Sequence, residues 1–317
     1  MSLIQLNTDV GTEGESSLQE VANVLQNLVN GIVDPKTAAQ TIDQIIVSDC
    51  EEAYLSYTSV PKPTAEQLAS GSIRSPDPDG WLQFLWNSFG KAAMVIPYDH
   101  AGQDRLVSLF TELQRLPPKK LPLVVWNNLI DKEIYILTEK NGYDGFKHWL
   151  GELDQGQIIG VHSKGAAAYL NFSAFLARLL AVGVGAGVGL CALTQRPESR
   201  FCTQRIAWTA KYADSAAQVR RYQPYASAAA LWLIYAGDAL FDYCDRTVHA
   251  FGPSWKRPLW ESWKEKFGEV VEDTRFTEFT RTLVRQALER MGQLEQGGWR
   301  VHEQEIDEDY EEEEEDD

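Results

Sequence analysis

The chain has 317 residues, 44% of them apolar, with 10 Trp, 12 Tyr and 12 Phe. So much apolar and aromatic surface can offset the entropy of ordering, which excludes a wholly disordered protein. The formal net charge of −17 is uneven: Glu303–Asp317 holds 12 acids and no base, while the remainder holds 34 acids against 29 bases. No basic footprint of the kind a phosphate backbone requires is present, so nucleic acid is not expected as a ligand.

Residues 1–15 are polar and read as a disordered N-terminus. From Ser16 the pattern turns helical: Leu18, Val21, Ala22, Leu25 and Leu28 recur at spacings of three and four, the signature of one buried helix face. Gly31 is placed to end that helix. Asp34-Pro35 starts another, with Asp as N-cap and Pro at the first helical position. Ala38, Ile42, Ile45 and Ile46 face a core, and the helix is predicted to reach about Tyr57.

Pro61 to Pro63 and Pro76 to Gly80 break the chain, because proline removes a helical donor and restricts the residue before it. At most a short helix fits between them. Trp81, Leu82, Leu85, Trp86 and Phe89 mark the next buried face, and Leu106, Leu109, Phe110 and Leu113 another, which stops at Pro117-Pro118. Leu123 to Trp126 is short and apolar. With no pairing partner evident, it reads as an extended segment or a helix start. A helix is predicted from about Leu129 to Glu139. Asn141 to Gln157 contains glycines throughout and reads as loop, with a helical turn near Trp149.

Residues 165–182 form an apolar helix containing Arg178. Helices are predicted over 197–213, Tyr225–Asp245, Leu259–Val271 and Thr277–Leu294. No repeat of fixed period and no βαβ alternation is present. The expected fold is all-α: a single orthogonal multi-helix bundle of about ten helices over 16–296, with a disordered acidic tail over 297–317.

Cys50, Cys191, Cys202 and Cys244 form no CxxC pair and match no zinc spacing. They are expected to be small buried hydrophobes in the cytoplasm or nucleus. The first 30 residues lack a basic start followed by an apolar stretch, so secretion is not expected. Asn171-Phe172-Ser173 matches a glycosylation acceptor and is then coincidental.

Several residues together resemble a known family. They are Trp81 to Phe89, Gln103-Asp104-Arg105-Leu106 leading to Leu113 and Leu116-Pro117, Leu121-Pro122-Leu123 with Trp126, Ala228 to Tyr235 with Gly237 and Phe241, and Trp260 with Trp263. This order resembles a fungal helical family catalogued only as a domain of unknown function, DUF3632. The likeness spans most of residues 16–295. It implies a helical, soluble, fungal protein and carries over no activity and no catalytic residues.

The candidate sites each have a plainer alternative. Gly183, Gly185, Gly187 and Gly189 suggest a phosphate loop, but offset five from Gly183 is Val188 and from Gly185 is Leu190, where the dinucleotide fingerprint needs glycine. They read instead as a helix break or close packing. Leu179 to Leu193 is 15 uncharged residues, short of the roughly 20 that a membrane span needs, so no span is expected. Asp238, Asp242 and Asp245 share a helix face at i, i+4 and i+7, as Mg²⁺-binding carboxylates do, and a solvated face explains the spacing as well. His100 and Asp104 form an i, i+4 pair. An imidazole held by a carboxylate is a general-base arrangement and equally an ordinary surface pair. His148, His162, His249 and His302 show no metal-ligand spacing. Trp255, Trp260 and Trp263 lie among Lys256, Arg257 and Lys264, which makes either a cation–π patch or a core with solvated bases. No cofactor is expected.

Two functions remain open. One is a non-enzymatic interaction or scaffold protein whose acidic tail engages a basic partner. The other is an enzyme or small-molecule binder with an apolar helical pocket. Deleting residues 303–317 is expected to leave the calorimetric melting temperature unchanged while weakening recovery of a bound partner. Undiminished recovery removes the tail from the function.

Overall fold

A computed structural model describes residues 3–6, 16–125, 128–134, 166–184, 216–245 and 257–298. The chain divides into two compact units, Met1–Leu193 and Thr194–Asp317. Nine helices and one hairpin occur among the described residues. The fold is predominantly all-α.

In the N-terminal unit, α1 is Ser16–Val29 and α2 is Pro35–Thr58. The junction between them follows the local chemistry. Gly31 has φ of 74°, a left-handed conformation that costs glycine little. Gly31 N–H donates to the Leu28 carbonyl at 2.9 Å and Ile32 N–H to the Asn27 carbonyl at 2.9 Å, the pair of bonds of a Schellman cap. Asp34 then caps α2, its Oδ1 accepting from the N–H groups of Lys36 (3.1 Å) and Thr37 (3.0 Å). Next come α3, Ala65–Ala69, α4, Pro78–Val95, and α5, Ala101–Gln114. The last described helix of this unit is α6, Ala166–Ala181.

The region after α5 departs from expectation. Lys119–Val125 is a strand, β1, paired antiparallel with β2, Asn128–Ile134, in a register running from Lys119↔Ile134 to Val125↔Asn128. The predicted helix from Leu129 therefore begins as a strand. The partner that β1 lacked in the sequence is the segment two residues downstream. The β-branched Val124, Val125, Ile130 and Ile134 suit a pleated surface, and Leu121 alone of β1 is fully buried.

The core of this unit is aromatic. Phe110 on α5 lies 4.7 Å from Phe89 and 5.9 Å from Trp86 on α4, and 5.6 Å from Phe175 on α6, between ring centroids. Each such buried ring contributes roughly 2–3 kcal/mol by leaving water. Two carboxamides lock the same elements. Gln103 is wholly buried. Its Nε2 donates to the carbonyls of Ala93 (3.0 Å), Ile96 (2.8 Å) and Asn171 (3.3 Å). Asn171 on α6 accepts from Tyr98 N–H at 2.9 Å through Oδ1 and donates to the Met94 carbonyl at 2.9 Å through Nδ2. The end of α4 and the turn into α5 are thus hydrogen-bonded to α6. The Asn171 amide nitrogen is engaged inside the fold.

At the end of α6, Gly183 has φ of 80°. Gly183 N–H donates to the Leu180 carbonyl (3.0 Å) and Val184 N–H to the Leu179 carbonyl (3.0 Å). The first glycine of the run is therefore a helix stop. Gly185, Gly187 and Gly189 lie outside the described residues, as do the predicted helix over 197–213 and the acidic tail. No helix among the described residues is long and apolar enough to cross a membrane.

The C-terminal unit holds α7, Ala216–Asp245, α8, Arg257–Glu272, and α9, Glu278–Glu295. All three pack against one another. The helix predicted from Tyr225 starts nine residues earlier and runs through Pro224, with a break in helical geometry at Ala236 (φ −126°, ψ 18°). Trp260, Trp263 and Phe267 of α8 are buried. Trp260 Nε1 donates to Glu295 Oε1 at 2.9 Å, and Lys264 Nζ pairs with Glu295 Oε2 at 2.5 Å. These tryptophans fill the core of the unit while the base beside them is held by an acid. Trp255 and Lys256 lie outside the described residues.

Replacing Asn171 with Ala orphans the Tyr98 N–H and the Met94 carbonyl. At about 1–3 kcal/mol for each of the two unsatisfied groups, Asn171→Ala is expected to lower unfolding free energy by about 2–6 kcal/mol in urea denaturation. A loss under about 0.5 kcal/mol would remove this node from the account of stability.

Candidate functional site

The residues singled out from sequence are dispersed. His100 is the N-cap of α5, its Nδ1 accepting from Gly102 N–H at 3.0 Å. Asp104, one turn on, accepts from Arg178 Nε at 2.8 Å. The two make separate contacts and do not bond to each other. Arg178 is buried on α6 while Asp104 is largely exposed, so the aspartate serves as counter-ion to a guanidinium whose stem lies in the core. On α7, Asp238 is exposed and paired with Arg290 of α9, Asp242 is half-buried and Asp245 buried. The helical break at Ala236 lies just before them. No group of three or more His, Cys, Asp or Glu suited to a metal ion occurs among the described residues.

A different constellation forms in the N-terminal unit around Asp49. Along α2 the buried positions include Ile42, Ile46, Asp49, Ala53 and Tyr57, so an acid stands in the apolar stripe. A carboxylate there requires partners, and it has three. Arg74 Nη2 donates to Oδ1 at 2.6 Å, Ser17 Oγ of α1 to Oδ1 at 3.1 Å, and Trp81 Nε1 of α4 to Oδ2 at 3.0 Å. Asp49 is only 7% exposed.

Arg74 reaches it because the preceding chain is held on α2. Thr64 and Gln67 form a capping box at the start of α3, with Gln67 N–H donating to Thr64 Oγ1 (3.2 Å) and Thr64 N–H to Gln67 Oε1 (2.9 Å). Gly71 turns the chain with φ of 69°. Arg74 N–H then donates to Ser56 Oγ of α2 at 2.9 Å. Asp77 completes the segment as N-cap of α4, its Oδ1 accepting from Gly80 N–H at 3.0 Å.

These elements enclose a cleft of about 400 Å³, within the size range of small-ligand sites. Leu18, Leu68, Ile73 and Phe84 provide apolar wall, Trp81 and Asp49 lie at the base, and Arg74 and Asp77 border it. Phe84 meets Trp81 edge-on, 5.8 Å between centroids at 89°, a geometry favoured by ring quadrupoles. Cys50, next to Asp49, is buried and free. Burial, with the negative charges of Asp49 and Asp77, pushes its thiol up to about 12. At neutral pH it is a neutral thiol and a poor nucleophile.

Sequence reading missed Asp49 and Arg74. The one local signal was an acid at helical spacing within the apolar stripe Ile42–Ile46–Ala53. Arg74 carried no signal, since its role depends on where the turn after α3 delivers it.

Cys50 supplies a check on this environment. In the unfolded chain the thiol ionises near 9, and in the folded chain near 12. Its contribution to stability is fully present below pH 9 and is lost as pH rises toward 12. The wild-type chain is expected to lose more stability between about pH 9 and pH 11 than Cys50→Ala does in urea denaturation. Parallel losses would place Cys50 in a solvated site.

Comparison with known proteins gives one match. Residues 86–267, more than half of the chain, match the family described as "Protein of unknown function (DUF3632)". This is narrower than the span of 16–295 expected from the sequence; it covers α5 and α6, and every residue lining the Asp49 cleft, from Leu18 to Phe84, precedes it. No curated protein and no solved structure matches the chain.

Proposed function

The chain belongs to the DUF3632 family, and we propose that it acts as a non-enzymatic binding protein, with the Asp49 cleft of its N-terminal unit as the ligand site. The observation that carries this is an open volume of about 400 Å³ set over a buried carboxylate, Asp49, paired with the half-exposed Arg74. A carboxylate taken out of water and held by Arg74, Ser17 and Trp81 is costly to maintain for stability alone. The apolar side chains Leu18, Leu68, Ile73 and Phe84 stand beside the polar Asp49, Arg74, Ser75 and Asp77, and fixed polar groups of this kind orient a ligand in a small-molecule site. The segment carrying Arg74 is anchored at both ends, by the α3 capping box and by the Asp77 cap, so the site is organised before any ligand arrives.

A second reading is favoured by the tail. Twelve acids without a base between Glu303 and Asp317 make a block of like charge, a composition that suits contact with a basic protein partner. Truncation of residues 303–317 separates this contact from the cleft.

The cleft reading is tested by filling it. A ligand that binds the native state raises the melting temperature in proportion to its occupancy. A chemically diverse thermal-shift screen is expected to yield dose-dependent shifts in the wild-type chain that disappear in Leu68→Trp. Shifts of equal size in both proteins would assign binding elsewhere.

A further inference from the structure

The charges around the cleft select its ligand. Arg74 is the cation among the cleft-lining residues, and its guanidinium already faces two carboxylates, Asp49 at 2.6 Å and Glu52 at 3.9 Å. An anion entering here would meet a neutralised guanidinium and then Asp77 on the rim. A cation would meet the reverse: Asp77 is an exposed carboxylate lining the cleft, its Oδ1 accepting from Gly80 N–H. The base of the cleft already shows how a cation is held, since Arg74 itself rests on Asp49 beside the indole of Trp81. Phe84 is half-buried and offers ring surface, whose negative face attracts cations. Leu68 and Ile73, also half-buried, offer aliphatic surface of the kind that covers an alkyl stem.

We propose that the cleft binds a small organic cation, a primary ammonium on an aliphatic stem, with Asp77 taking the charged head and Leu68, Ile73 and Phe84 the stem. This rests on the cleft being a ligand site and adds the chemical class of the ligand. Asp77 is the deciding residue. Asp49 is buried and accepts from three internal donors, whereas Asp77 is exposed on the cleft and caps α4, and an asparagine there would still make that cap.

The test is calorimetric titration of the full chain at neutral pH and fixed ionic strength with n-hexylamine, n-hexanol and sodium hexanoate, three probes that share a stem and differ in charge. Hexylamine is expected to bind saturably at up to about 10 mM and at least about tenfold more tightly than either other probe, the ratio that one charge-assisted contact supplies. Asp77→Asn is expected to weaken hexylamine about tenfold while leaving the melting temperature of the free protein in place. Leu68→Trp is expected to abolish binding of all three. Hexanol or hexanoate binding as tightly as hexylamine, and lost in Leu68→Trp, would overturn the ammonium assignment and leave the cleft standing. Hexylamine affinity unchanged in Asp77→Asn would overturn it as well. Binding of none of the three, or binding indifferent to Leu68→Trp, would overturn the cleft together with the assignment. The comparison among probes on the wild-type chain decides the class even if a variant folds poorly.

Discussion

The N-terminal unit depends on a carboxamide exchange that no run of local sequence can make. Gln103 gives its amide hydrogens to the last carbonyls of α4 and to α6, and Asn171 of α6 returns both a donor and an acceptor to the turn between α4 and α5. Helix ends leave carbonyls without internal partners, and here those of α4 are buried. Two side chains satisfy them and, in doing so, fix how α4, α5 and α6 meet. The rings of Trp86, Phe89, Phe110 and Phe175 then close around this junction. Apolar burial supplies most of the driving force, yet it is indifferent to direction. The amide bonds are directional, and they choose one arrangement among the several that would bury the same rings.

Asp49 plays the corresponding part on the other side of α2. Its carboxylate draws together a serine from α1, an arginine from the segment after α3 and an indole from α4. An uncompensated charge at that depth would not be tolerated, so the surrounding chain is obliged to deliver donors to it. The consequence is a gap. The segment from Gly71 to Asp77 is held by its polar contacts and does not collapse onto Leu18 and Phe84. A cleft of this kind is a by-product of polar satisfaction in an otherwise apolar bundle.

The helical frame was legible because its signals are local. Gly31, Asp34-Pro35 and the prolines flanking α3 mark boundaries by backbone chemistry that acts within a turn of the helix; the structure places caps at Gly31 and Asp34, and ends α2 and starts α4 beside those prolines. The paired strands were not legible. Lys119–Val125 and Asn128–Ile134 carry no clean alternation, and a strand is defined by its partner, which periodicity within one segment cannot supply. The same limit explains the candidate residues. His100 and Asp104 share a helix face by spacing, but one turns to the backbone of Gly102 and the other to Arg178, 74 residues away.

By itself, then, the sequence determined that this is a predominantly helical protein, where most of its described helices begin and end, and which faces are apolar. These follow from propensity, capping and a period of 3.6, which operate over a few residues. Only the tertiary structure decided that Gln103 meets Asn171 across 68 residues, that Arg74 meets Asp49 across 25, and that a cleft remains beside them. Those outcomes depend on which donors the packed helices bring within about 3 Å of a buried acceptor, and that distance is a property of the whole fold.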